Sequence, residues 1–523
     1  MLCETLLEGM ESGNKPALKT RFSPDIGVQE VRVLESQTRK WAKAQTLGRL
    51  LLVAIVATGL LLRVWHLGRY SLWYDEVFSV MAARSSWIEM FRQILIDRVH
   101  PPVFYISLKV WLAVFGDSVV RVRLFSVFFS AFTFVPVWNC LKRMRSSSSV
   151  SLTLLLAIAC NPFLIFYAQE VRMYALLGFL SACSLSFYLA HDENKTELWL
   201  LSLTNVLLVM THVAGAAVVG GELAHALIVR NRSRKYVAFA CAPALASFAC
   251  WMLSVRFLAP HPAMVLHNVS WIPKPTFALV WKALAHILGG SAAVVVLNFP
   301  IAVVRFKRIR DRQFLLLLLL SIATIVCVLA FSLLIRPVWQ ERYLIICVVP
   351  YYLLAGWSVA KLSSNWKLVG TVAIAVAGLV SLEYDLTHRP DRPDFSAFIA
   401  IAEANRMPLL SSYDVLAAPL AFGIGKEGQS RVQVIKSISA QHLGDPTFIT
   451  RDVVYSVGQR DWIQGQRSVP AREFLYGWDN SADALLPAGI KPGDLSSRGC
   501  SLQELATMHG EGHQFALFGV NCH

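Results

Sequence analysis

Eleven apolar runs follow one another from about Leu50 to about Glu383, most of them near the length that carries a helix across a bilayer. A chain patterned this way has few folding options. Inside hydrocarbon every backbone N–H and C=O must be paired within its own segment, so the runs are expected to be helices packed side by side. They fall at 50–67, 121–141, 149–166, 173–190, 198–211, 213–230, 236–257, 277–304, 313–335, 343–360 and 367–384. With 55% hydrophobic and only 16% charged residues, the composition excludes an ordinary soluble domain. The stretch from Tyr384 onward differs, with regularly spaced charge, many turn residues and no spanning run. The expected fold is therefore a polytopic α-helical membrane protein of about 11 spans, N-terminus inside, followed by a small soluble α/β domain outside. Residues 1–45 read as a polar cytoplasmic tail, 46–384 as the transmembrane domain with an outer loop over 67–120, and 385–523 as the extracytoplasmic domain. The first 45 residues are too long for the n-region of a signal peptide and no small-residue cleavage site follows, so the first run is expected to be retained.

Orientation follows from the basic residues. Clusters lie at Arg39, Lys40, Lys43 and Arg49, at Lys142, Arg143 and Arg145, and at Arg230, Arg232, Arg234 and Lys235. Arg305, Lys307, Arg308, Arg310 and Arg312 form another, with a weaker one at Lys361 and Lys367. Eleven spans with the N-terminus inside put every cluster on the cytoplasmic face, as the positive-inside rule requires. The formal charge of +15 is then topology and not a nucleic-acid footprint. Val103–Phe115 is apolar but too short to cross. Bounded by Pro101-Pro102 and Gly116-Asp117, it reads as an amphipathic helix in the outer interface. The run 277–304 is long for one span and carries Lys282 and His286 on one helical face, so its first turns are expected along the outer surface.

With that topology the unusual polar residues collect on the outer face. They are Asp75-Glu76, His100-Pro101-Pro102, Gln169 to Tyr174, Thr211-His212 and Gln340 to Tyr343. Paired carboxylates beside aromatics suit the activation of a hydroxyl or the binding of a cation. Arg172 and Arg342 are planar, permanently charged forks that suit phosphate oxygens, and each opens a helix returning into the membrane, whose free amides favour an anion. Against this stand ion pairs with the neighbouring Glu170 and Glu341. His100 is placed as a phosphate or hydroxyl contact, with turn packing as the plainer alternative. Arg63, near the end of the first run, is a candidate for the same phosphate and equally a residue reaching for the interface.

The residues in order resemble a known group. Trp73-Tyr74-Asp75-Glu76, then His100-Pro101-Pro102 with Tyr105 and Trp111, then Gly116 with Arg121 and Arg123, are similar to the bacterial members of the protein mannosyltransferase superfamily. That group includes the lipid A aminoarabinose transferase and related lipopolysaccharide glycosyltransferases of the GT-C fold. Gln169-Glu170-Val171-Arg172-Met173-Tyr174, Glu341-Arg342-Tyr343 and the tail-opening Arg389-Pro390-Asp391-Arg392-Pro393-Asp394-Phe395 match later landmarks. The likeness covers about 46–400 and is strongest over 63–174. It implies an inverting glycosyltransferase in the bacterial inner membrane, using a polyprenyl-phosphate sugar on the outer, periplasmic face and a glycan, lipid or protein acceptor. It further implies Asp75 as the catalytic carboxylate with Glu76 beside it, His100 near the donor phosphate where the aminoarabinose transferase has lysine, and Arg172 and Arg342 holding the phosphate as it leaves. Tyr174, Tyr343 and Lys282 complete the candidate substrate contacts. No cofactor is obligatory; Asp75 and Glu76 are the residues that a divalent metal would use.

Other patterns carry less. Glu222 and His225 have the i,i+3 spacing of a di-iron site, but the second Glu-x-x-His is missing, so a buried satisfied pair is expected. Cys500 and Cys522 are the two cysteines of the tail and are expected to pair. Two other functions fit the polytopic pattern. A transporter would carry repeated halves and charges at the midplane. An O-antigen ligase or polymerase would use a large late outer loop, without the early acidic pair.

Overall fold

The computed structural model describes residues 28–97, 99–190, 195–229, 234–258, 272–308, 311–387, 393–411, 414–425, 431–435, 455–457, 473–479, 492–497, 499–510 and 513–522. Most of the polar N-terminal stretch, the basic residues Arg230, Arg232 and Arg310, and residues 389–392 lie outside them.

Every apolar run is helical, and the breaks fall where Pro, Gly or a polar turn interrupts the apolar pattern. α1 (Val28–Val64) leads into a connecting segment, residues 67–120, holding α2 (Tyr74–Arg84), α3 (Trp87–Asp97) and α4 (Val103–Phe115). α5 (Val119–Phe132) and α6 (Phe134–Arg143) run on almost without interruption, then α7 (Ser148–Ala159) and α8 (Pro162–Ala168) form a pair bent by 53°. α9 (Tyr174–Ala190), α10 (Lys195–Val209), α11 (Gly215–Val229) and α12 (Arg234–Leu258) follow. α13 (Phe277–Leu288) and α14 (Ser291–Arg308) meet at 80°, which explains why this run looked too long for one straight span. The corner requires glycine: Gly289 has φ +89°, and a Cβ there would lie 2.4 Å from Ser381 Oγ. α15 (Arg312–Leu334), a 3-10 turn (Glu341–Leu344), α16 (Ile345–Ala360) and α17 (Ser364–Thr387) complete the bundle.

Among the described residues six helices are long and apolar enough to cross a membrane, and eight if each bent pair counts once. The other three runs form helices below that length: α9, α10 and α11 have 17, 15 and 15 residues. At ~1.5 Å per residue, 15 residues reach ~22 Å against a hydrocarbon core of ~30 Å. The turn between α10 and α11 takes back Met210 to Ala214, including Thr211-His212, for non-helical backbone. The centre of the bundle is made by α9, buried along nearly its whole length, and by the span Glu341–Ala360, 83% buried where peripheral α17 is 22%. These are the two helices that Arg172 and Arg342 open.

The tail is a mixed sheet with helices. α18 (Ser396–Asn405), β1 (Leu409–Ser411), α19 (Asp414–Gly423), β2 (Val432–Ile435), β3 (Tyr455–Val457), β4 (Glu473–Asp479), α20 (Pro492–Ser497), β5 (Cys500–Gly510) and β6 (His513–Cys522) give the strand order β3-β2-β1-β4-β6-β5. The first four are parallel; β6 pairs antiparallel with β4 and β5. Cys500 and Cys522 face each other in that last register and are joined by a disulfide. The tail also grips the segment that carries α2. Asp394 Oδ1 accepts from the Ser71 amide (3.2 Å) and Ser71 Oγ accepts from the Phe395 amide (2.8 Å). Met81 packs into the tail core and the Arg84 guanidinium lies 4.8 Å over the Phe422 ring, so α2 is held from that side.

Candidate functional site

Asp75 and Glu76 occupy the first turn of α2, where a carboxylate is favoured by the positive end of the helix. Consecutive residues on a helix point about 100° apart, and the structure uses the two acids differently. Glu76 is fully buried. Its Oε1 accepts from Arg123 Nε and from the Val171 amide, both at 2.9 Å, and its Oε2 accepts from Arg123 Nη2 at 2.6 Å. Arg123 sends its remaining N–H groups to the carbonyls of Leu67 (3.0 Å), Tyr70 (2.8 Å) and Ser71 (3.0 Å). One guanidinium thus ties the loop before α2 to α2 itself, with all five donors satisfied. Glu76 therefore does not face the cluster described next, and the expectation that it works beside Asp75 in the chemistry gives way to an anchoring position.

Asp75 points to the other side and keeps 23% of its side chain accessible. Its Oδ2 lies 3.2 Å from Arg342 Nη1 and 3.7 Å from Arg172 Nη2. Arg172 Nη1 also donates to the Asp75 carbonyl (3.2 Å) and to Ser79 Oγ (3.1 Å), one helical turn on. Burial alone raises the Asp75 pKa, but Arg172, then Arg342 and His100, outweigh it and hold the carboxyl below its ordinary value. Arg172 is fixed by its loop: Gln169 Nε2 donates to the carbonyls of Leu62 (3.0 Å) and Trp65 (2.9 Å), and Val171 is tied to Glu76. Arg342 sits in the 3-10 turn before α16, 5.9 Å over the Tyr174 ring. Its sequence neighbour Glu341 pairs with His286 Nδ1 at 3.0 Å. The expected neighbour ion pair is thus replaced by a link from α13 to the turn.

The other candidates divide. Tyr174 is buried against Arg342, and Tyr343 stacks 4.9 Å from His212. His100 is buried at the same cluster, its Nδ1 2.6 Å from Asp97 Oδ2 and its ring 5.6 Å from that of His212. Lys282 is exposed on α13, one helical turn before His286. Arg63 is buried elsewhere. It donates to Ser130 Oγ (2.8 Å) and to the carbonyls of Gly59 (2.9 Å) and Ala159 (3.0 Å), with Phe134 against its face. It pins α1 to α5 and α7, so neither a phosphate contact nor an interfacial reach describes it.

Sequence reasoning missed Ser79, Asp97 and the Arg123 anchor. Ser79 is i+4 from Asp75 on α2, a spacing that places the pair on one helical face, while Asp97 closes α3 three residues before His100. The cluster has one further property. Arg172 Nε, Arg342 Nε, Tyr105 Oη, Tyr174 Oη and His212 Nε2 are buried without a hydrogen-bond partner. Burial, aided by Asp97, holds the Tyr105 phenol well above its ordinary pKa and therefore protonated. Arginine and phenol groups in this set are donors, so the arrangement lacks an acceptor rich in oxygen lone pairs.

For a divalent metal the residues do not fit. Both Glu76 oxygens are taken by Arg123 and the Val171 amide, and two guanidinium groups flank Asp75. Among the described residues no three His, Cys, Asp or Glu side chains converge on one point. Glu222 and His225 are satisfied separately: Glu222 accepts from Asn205 Nδ2 (2.8 Å) and meets Ser184 Oγ, while His225 bonds Tyr188 Oη (2.7 Å) and the Arg312 carbonyl (2.9 Å).

No protein-family model matches the chain, and no curated protein sequence matches it. Solved structures do. Two crystal structures of ArnT from Cupriavidus metallidurans, one bound to undecaprenyl phosphate and one in the apo state, are each similar at TM-score 0.56 and 14% identity. Each match covers 89% of this chain and 97% of that one. The oligosaccharyltransferase of Archaeoglobus fulgidus tethered to an acceptor peptide matches at TM-score 0.47 and 9% identity, over 72% of this chain and 63% of that chain. The chain has the GT-C fold: a polytopic helical body with a small C-terminal sheet domain.

Proposed function

We propose that this chain is an inverting glycosyltransferase that moves a monosaccharide from a polyprenyl-phosphate carrier to a hydroxyl of a cell-envelope acceptor, glycan, lipid or protein, on the outer face of the bacterial inner membrane. One observation carries the reading. Asp75 stands between two buried arginines, in a seat whose remaining buried donors lack an acceptor. A phosphate brings two terminal oxygens as a diester and three once the sugar has left, so it would fill that seat. The ArnT structure of the same fold holds undecaprenyl phosphate, which supports a carrier of that class here.

In the step itself, the acceptor oxygen bonds to the anomeric carbon as the bond from that carbon to the phosphate oxygen breaks. The electron pair leaves with the phosphate. Arg172 and Arg342 would take up the added charge, an interaction stronger in the transition state than with the bound diester. Asp75 would receive the acceptor's proton, and the inverting course places it on the face of the sugar opposite the phosphate. Tyr174 and Tyr343 would shape the pocket around the arginines.

In this reading residues 46–384 form the transferase domain and the tail lies outside. The basic ends of the helices then face the cytoplasm, giving the eleven-span arrangement, with α9, α10 and α11 crossing where neighbouring helices cover their ends. The test is direct. Cells lacking the chain should accumulate an untransferred polyprenyl-phosphate sugar, and purified protein should release polyprenyl phosphate from it when given acceptor. No accumulation and no carrier turnover would remove the proposal.

A further inference from the structure

His212 was only a weak signal in the sequence, yet the structure gives it a defined chemical state. The ring is 1% exposed in the turn between α10 and α11, packed 4.9 Å from Tyr343, 5.6 Å from His100 and 6.1 Å from Tyr174. Its Nδ1 lies 3.1 Å from the Ala214 amide nitrogen, which can only donate. Nδ1 must therefore offer a lone pair, and the ring proton of the neutral imidazole sits on Nε2. Nε2 is buried and has no partner. Burial, followed by His100, Arg342 and Arg172, also pushes the imidazole well below its ordinary pKa, so the ring stays uncharged at neutral pH.

A buried N–H without an acceptor is costly, and it stands with the four other orphaned donors of this cluster. We infer that His212 is a substrate-binding residue that donates a neutral, tautomer-locked Nε2–H hydrogen bond to a terminal oxygen of the carrier phosphate. This rests on the proposed function and deepens it. Two arginines supply charge to the phosphate, while His212 supplies direction without adding a third positive charge. The seat therefore keeps its net charge near zero once Asp75 is counted against one arginine and the diester against the other. The backbone carries the specification: the amide two residues on selects the tautomer, so the donor is in place before substrate arrives.

Two substitutions separate the donor from the turn. In His212→Asn the amide oxygen can still accept from the Ala214 amide, as an Asx turn does, but nothing reaches the Nε2 position. In His212→Gln the amide nitrogen can occupy roughly the Nε2 position and donate. The probe is sugar-free undecaprenyl phosphate binding to the purified full-length protein in detergent, from pH 6 to 8. His212→Asn should bind about 10- to 100-fold more weakly than wild type, the worth of one hydrogen bond to a charged acceptor. His212→Gln should recover a substantial part of that loss. The wild-type to Asn ratio should stay flat with pH, since the surrounding groups His100, Asp97 and Asp75 are the same in both proteins and their effects cancel. Equal binding by wild type and His212→Asn overturns the inference. So does a ratio that grows as pH falls, which would mean an imidazolium, or a defect seen only with sugar-bearing carrier, which would move the bond to the sugar. If wild type itself does not bind the sugar-free carrier, the proposed function fails first and the two failures are distinguished.

Discussion

Replacing Asp75 by Asn should slow transfer and tighten carrier binding together, a combination that few structural disturbances produce. In the structure the carboxylate is itself the anion between Arg172 and Arg342, at 3.7 and 3.2 Å. Each contact is worth about 4–5 kcal/mol at an effective dielectric of about 20 and about 1 kcal/mol in water. With 23% of the Asp75 side chain accessible, the low end of that range applies to the net effect. An incoming phosphate must share the arginines with this charge and is repelled by it. Asparagine keeps the shape and removes both penalties, so affinity for sugar-free carrier should rise by about 2 kcal/mol, roughly thirtyfold. Turnover should fall by about 10²–10⁴, the usual contribution of a general base. Calorimetry or fluorescence quenching gives the first number and release of carrier from a labelled donor gives the second. The pH dependence has a defined sign. The lowered folded-state pKa means that Asp75 contributes stability above its unfolded value and loses it as pH falls through the folded value. The acid limb of kcat/KM set by Asp75 in the free enzyme should accordingly lie below the ordinary carboxylate range. Unchanged or weaker carrier binding by folded Asp75→Asn, or turnover within tenfold of wild type, would refute the reasoning.

Arg172→Lys and Arg342→Lys keep charge but lose the fork, and should raise KM for the donor more than for the acceptor; equal effects on both substrates would count against the phosphate seat. Glu76→Gln leaves Arg123 buried with one charge unpaired, so it should lower thermal stability by about 3–5 kcal/mol equivalents while the folded fraction retains donor binding; normal melting with dead chemistry would return Glu76 to the reaction. Reduction of the Cys500–Cys522 disulfide should destabilise the tail by about 3 kcal/mol, read by protease resistance under reducing and non-reducing conditions, and unchanged resistance would contradict this. Single cysteines placed at Ser86 and Asn405 should react with an impermeant reagent from outside, and those at Arg145 and Ser364 should not; the reverse pattern would invert the topology.

The helical body could be read from the apolar pattern because chain and solvent impose it locally. Asp75, Arg172 and Arg342 could be singled out because each is a charge near the end of an apolar run, where a charge needs a reason. Glu76 could not be distinguished from Asp75, because its partner Arg123 is 47 residues away and adjacent acids look alike in one dimension. Arg63 failed for a related reason: three carbonyl and hydroxyl partners from α1, α5 and α7 satisfy it, and none is visible as a charge. The His212 tautomer depends on a turn hydrogen bond that no pattern encodes. In the tail, β5 reads Cys-Ser-Leu-Gln-Glu-Leu-Ala-Thr-Met-His-Gly, rich in helix formers. Its pairing with β6 overrides that preference, and β4 is set by partners, β1 and β6, that flank it from far along the chain.

The grip of the tail on the outer loop also has a temporal side. Ser71, Met81 and Arg84 leave the ribosome hundreds of residues before Asp394, Phe395 and Phe422, their partners. Membrane helices are inserted in order as synthesis proceeds, so the bundle with Asp75, Arg172 and Arg342 is present while α2 still lacks its outer support. The last part of the chain to emerge is then what completes the first part of the site. Transfer competence should accordingly appear only after the tail has folded, and fragments released near residue 390 should bind carrier yet turn it over poorly. A fragment with full turnover would show that the outer loop closes without help.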